Sequence, residues 1–125
     1  MDVKDLSWLG VQTAKFDEMV GFFRDVMGLP LAMQEPGFAE FGLPGGDKVE
    51  VFGPGGPAAP DPFASGPIVA AGFLVGDIVQ ARQELIDAGV ELIGPLHVME
   101  NGYAWQHFRG PDDNVYELTC DPVRP

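Results

Sequence analysis

Two glutamates sit in strand-like runs, Glu50 in KVEVF (48–52) and Glu117 in NVYELT (114–119). Strands deplete Glu. Burying a carboxylate is costly unless a cation, a hydrogen-bond donor or a metal meets it. Two shielded carboxylates near one another push their proton affinities apart, giving one acid and one base. Glu50 and Glu117 are therefore candidate catalytic residues. Their plainer role is ion pairing, with Lys48, Arg82 and Arg109 as available cations. Five further residues could line a ligand site: Trp8, Gln12, Phe52, Trp105 and His107. The indoles could stack on a flat or cationic ligand, although Trp105 reads more simply as core. Gln12 shares a strand face with Trp8 by period-two alternation. His107 lies two residues from Trp105 and brings an imidazole able to give or take a proton. His97 falls near a strand end and reads as surface. Cys120 has no base near it in sequence and reads as an inert thiol.

These residues need elements to hold them. SWLGVQT (7–13) reads as a strand and FDEMVGFFRDVM (16–27) as a helix. Met19, Phe22, Phe23, Val26 and Met27 form its expected apolar stripe, and Gly28 its stop. Residues 30–34, 38–43 and 47–52 read as short strands, with EPG (35–37) and PGG (44–46) as turns. GPGGPAAPDPFASGP (53–67) reads as a linker. Its GPGG lacks the residues of a phosphate loop. The order then repeats. IVAAGFLV (68–75) reads as a strand and IVQARQELIDA (78–88) as a helix. Asp77 is the N-cap with Gln80 three residues on, and Gly89 is the stop. Residues 91–99, 103–109 and 114–119 supply three more strands.

The halves align directly. FAEFGLPGGDKVEV (38–51) lies over WQHFRGPDDNVYEL (105–118) without a gap, which sets Glu50 on Glu117. WLGVQT (8–13) lies over AAGFLV (70–75), and Gly28 over Gly89. The sequence reads as one α+β domain of two βαβββ modules, 1–52 and 68–125.

Composition bounds the function. Seven Lys and Arg against nineteen Asp and Glu give a net charge of −12, which argues against a nucleic-acid partner. No apolar run approaches a membrane span, and residues 1–10 carry no signal-peptide pattern. One cysteine cannot form an internal disulfide, which suits a reducing cytoplasm.

Paired βαβββ modules resemble the vicinal oxygen chelate superfamily of glyoxalases, bleomycin-resistance proteins and extradiol dioxygenases. The segments that carry this resemblance are FFRDVMGLPL (22–31), VEVFGP (49–54), GFLVGDIVQARQELIDAGVEL (72–92) and GPDDNVYEL (110–118). Asp113 stands where that family's turn has glycine, a departure Asp tolerates. The resemblance implies two curled mixed sheets around a cavity, with Glu50 and Glu117 facing it. It also implies a divalent metal (Mn, Fe, Ni, Co or Zn) held by one residue on the first and one on the last strand of each module. The first-strand positions here are Trp8 and Ala70, and neither can ligate a metal. The expectation is therefore a small-molecule-binding protein without a cofactor, dimeric and cytoplasmic. Three alternatives stand beside it: a metal-free lyase or isomerase, a relocated metal site on Glu50, Glu117 and His107, and a scaffold with a vestigial cavity.

Overall fold

A computed structural model describes residues 1–56 and 68–124. The expected linker lies outside the described residues from position 57 on. The fold is α+β, with eight strands in mixed pairing. In chain order they are β1 (Val3–Gln12), β2 (Leu31–Glu35), β3 (Phe38–Gly42), β4 (Lys48–Phe52), β5 (Ile68–Val75), β6 (Leu92–Val98), β7 (Ala104–Arg109) and β8 (Val115–Cys120). The helices are α1 (Phe16–Gly21), which runs on into a π-helical turn over Phe22–Val26, and α2 (Ile78–Asp87). Two compact units result, Trp8–Val69 and Met1–Ser7 with Ala70–Pro125, and β1 passes from one to the other.

In the Trp8–Val69 unit, β1 pairs parallel with β4, while β4–β3 and β3–β2 are antiparallel. Alternation turns Leu9, Val11, Ala39, Phe41, Val49 and Val51 to one face, where they pack with Phe16, Val20 and Phe23. Phe23 meets Phe41 edge-on at 5.8 Å. The expected helical stripe is corrected here: Phe22, Val26 and Met27 are exposed, and Phe16, Val20 and Phe23 are buried. For Val26 and Met27 the cause is the π-turn, closed by the Met27 N–H donating to the Phe22 carbonyl at 3.0 Å. Five-residue spacing rotates residues beyond Phe23 off the face that 3.6-residue spacing would give them. Gly28 then leaves the helix at φ +70°, as a left-handed stop does.

The other unit repeats the pairing. Strands β5 and β8 are parallel, and β8–β7 and β7–β6 antiparallel. Its core sets Val75, Ala104 and Leu118 against Ile78 and Ala81 of α2. The Asp77 carboxylate accepts from the Gln80 N–H at 2.9 Å, the expected N-cap. Asp113 takes φ +66°, the left-handed conformation of that turn. Strand β6 slips register between Ile93 and His97. Gln106, fully buried, holds that slip: its amide donates to the carbonyls of Ile93 and Gly94 at 3.2 and 3.0 Å. Its oxygen accepts from Arg82 Nε at 2.6 Å.

Candidate functional site

In each unit the strand glutamate lies on the face opposite the helix-packed core. Its Cα partner on the parallel first strand is a glycine, Gly10 for Glu50 and Gly72 for Glu117. The two units differ in what fills the space beside that glycine.

In the Trp8–Val69 unit, the face carries Trp8, Gly10 and Gln12 in register with Lys48, Glu50 and Phe52. Trp8 is 5% exposed, and its Nε1–H donates to Glu50 Oε1 at 2.5 Å. A Cβ on Gly10 would stand 2.2 Å from the indole, so only glycine lets the ring lie across the strand. Phe52 packs on Phe38 at 5.3 Å. Glu40 on β3 is the Cα partner of Glu50. Like charges directly opposite one another are unfavourable, and the indole donor offsets part of that cost at Glu50.

In the other unit, β7 and β8 set His107 directly opposite Glu117. His107 Nε2 lies 2.8 Å from Glu117 Oε2, with 4% and 5% of their side-chain surface exposed. The neighbouring row on the same face is polar and aromatic. Ser7 and Thr119 share a very short hydroxyl hydrogen bond, and both are buried. Trp105, registered with Thr119, is half-buried and stacks on His97 at 4.9 Å. Ala70, where the second first-strand ligand was expected, is a buried methyl.

Other expected cations have their own partners. Arg109 Nε pairs with Glu91 at 3.0 Å, and Arg82 with Gln106. His97 is exposed as expected, whereas Trp105 is a stacking residue and not full core. Gly10, Gln106, Ser7, Thr119 and Glu40 were not singled out from sequence. Alternation carried outward from Glu117 and from Trp8 would have reached Thr119 and Gly10. Nothing local marks Gln106, whose role depends on an irregularity in the neighbouring strand.

Metal chemistry asks for three or more good donors at one point. The Trp8 N–H can only donate, and it does so to Glu50, while Ala70 offers nothing. Among the described residues no three of His, Cys, Asp and Glu cluster to hold an ion. The residues present in either unit do not fit a metal.

Residues 5–118 match the Glyoxalase/Bleomycin resistance protein/Dioxygenase superfamily, and the chain belongs to that superfamily. No curated protein matches it in sequence. Solved structures share its fold. The Mn(II)-bound glyoxalase from Novosphingobium aromaticivorans aligns with TM-score 0.76 at 19% identity, over 95% of this chain and 39% of that one. Methylmalonyl-CoA epimerase from Mycobacterium tuberculosis aligns with TM-score 0.69 at 19% identity, over 95% and 89%. A superfamily member from Vibrio splendidus 12B01 aligns with TM-score 0.67 at 20% identity, over 94% and 100%.

Proposed function

We propose that this protein binds a small molecule without a metal, on the helix-free sheet face of the Trp8–Val69 unit that carries Glu50. The observation that carries this reading is the indole of Trp8 donating to Glu50. A metal-binding first-strand position has become an aromatic wall that holds the carboxylate in place. Trp8, Gln12 and Phe52 lie on that face, and the other unit carries His107, Glu117 and Trp105 on its own helix-free face. An aromatic wall beside a carboxylate suits flat or cationic ligands. The test is a small-molecule screen by thermal shift on metal-stripped protein. Ligands whose shift survives metal removal and drops in Trp8→Leu support the reading. Ligands that bind only after a divalent metal is added overturn it.

A second reading, a metal-free lyase or isomerase, is favoured by the buried His107–Glu117 contact. A carboxylate touching an imidazole in a water-poor place can pass a proton to and from a bound substrate. Glu117 would take the proton from one position of the substrate and return the same proton to another, with His107 holding its carboxylate in place. Turnover that vanishes in Glu117→Gln while binding persists supports this version. Undiminished turnover in that variant rules it out.

We place the protein in the cytoplasm as a homodimer of two βαβββ modules per chain. The lone thiol of Cys120 suits a reducing compartment. Strand β2 is exposed along its whole length, with Leu31 and Met33 on it, and such edges invite pairing with a second copy.

A further inference from the structure

On the α2 side of the second unit, away from Glu117 and His107, a cavity of about 480 Å³ opens between Phe73, Phe108, Tyr116 and the Gly110–Asp112 turn. That volume lies within the usual range for small-ligand sites. Its walls are three half-buried rings: Phe108 stacks on Tyr116 at 5.8 Å and 28°, and Phe73 lies 6.3 Å from Tyr116. Asp112 stands at the rim. The fold holds this carboxylate in place. Oδ2 accepts from the Tyr116 hydroxyl at 2.7 Å and from Asn114 Nδ2 at 2.9 Å, while Oδ1 accepts from the Asn114 N–H at 3.1 Å. A Cβ on Gly110 would fall 2.8 Å from the Tyr116 ring, so the turn can close on the ring only with glycine there.

We infer that this aromatic cavity is a second ligand site, selective for a small organic cation of the quaternary ammonium class. The rings offer negative π faces, which attract cations. The Asp112 carboxylate adds a fixed negative charge at the mouth. Three hydrogen bonds already occupy most of its roughly four lone-pair sites. It therefore supplies field more than hydrogen bonds. A cation without N–H groups loses least by binding there, because it needs no acceptor. Arg109, which precedes the Gly110–Asp112 turn, pairs with Glu91 and donates to the Asp113 carbonyl at 2.9 Å. The overall charge of −12 favours cations further.

The test compares choline with its uncharged carbon isostere, 3,3-dimethylbutan-1-ol, by NMR titration of the Phe73, Phe108 and Tyr116 ring signals. Choline should bind about tenfold more tightly than the isostere. Asp112→Asn should weaken choline about fivefold and leave the isostere unchanged. Tyr116→Leu should abolish both; should that variant not fold, Asp112→Asn and the isostere still decide. Glu117→Gln should leave choline binding unchanged, which separates this site from the Glu117 face. Equal affinities for the two probes, or no ring shifts with choline, would overturn the inference.

Discussion

Glu117 Oε2 and His107 Nε2 meet at 2.8 Å, on adjacent antiparallel strands, with both side chains almost fully buried. A buried charge is tolerable only when paired. Removing one member leaves the other stranded, at a cost of about 3–5 kcal/mol. Glu117→Leu should lose about that much in urea unfolding. Glu117→Gln, which keeps the shape and one acceptor, should lose only about 1–3 kcal/mol. Equal losses would mean that the retained shape and acceptor count for nothing and that charge alone holds the pair.

The Trp8–Glu50 hydrogen bond should respond to small changes. Trp8→Phe keeps the aromatic surface and removes the N–H, so it should cost about 1–3 kcal/mol. Gly10→Ala should displace the indole, because the new methyl has no room. Tryptophan fluorescence reports that displacement. An unchanged Trp8 signal in Gly10→Ala would show that the ring does not cross the strand.

Gln106, beside His107 on β7, holds the slipped part of β6 against that strand. Gln106→Leu would strip a donor from the Ile93 and Gly94 carbonyls and an acceptor from Arg82. The expected loss is about 1–3 kcal/mol for each buried group left unsatisfied. Amide exchange should rise most along β6. Uniform change across the unit would contradict the assigned role.

The Asp112 turn gives a pH signature. Hydrogen bonds from Asn114 and then Tyr116 hold the Asp112 carboxyl below its ordinary value of 3.8. A depressed carboxyl contributes stability above its unfolded value and loses it as pH falls through the folded one. The turn should therefore loosen only in acid, below pH 3.8. Tyr116 moves the other way, above 10.0, chiefly through its hydrogen bond to Asp112. Its contribution is present below pH 10.0 and fades as pH rises through the folded value. Absorbance titration of the phenol should show Asp112→Asn bringing Tyr116 back down. No change would mean the hydroxyl bonds elsewhere.

The repeat was legible because period-two alternation and Gly/Pro turns punctuate both halves alike. The alignment of 38–51 on 105–118 sets Glu50 on Glu117, and that of 8–13 on 70–75 sets Gly10 on Gly72, the glycines registered against them. The π-turn was not legible, since Val26 and Met27 fit a regular helix in sequence, and the backbone bond from Met27 to Phe22 moves them outward. The partners of the glutamates were half legible. Sequence offered Lys and Arg as counter-groups and did not offer the indole that donates to Glu50 or the imidazole that lies against Glu117. Long cations reach many positions, whereas cross-strand register brings rings together only once the strands are paired.

The most direct measurement follows thermal unfolding of stripped protein as Mn, Fe(II), Co, Ni and Zn are added singly, in wild type and Glu117→Gln. A ligand at about 100 times its dissociation constant stabilises a fold by roughly 2.7 kcal/mol, or several degrees for a domain of this size. Because Trp8 and Ala70 stand where donors would be needed, the account predicts no shift with any of the five. A shift in the wild type that Glu117→Gln abolishes would contradict it and make this protein a metal binder with a rebuilt ligand set.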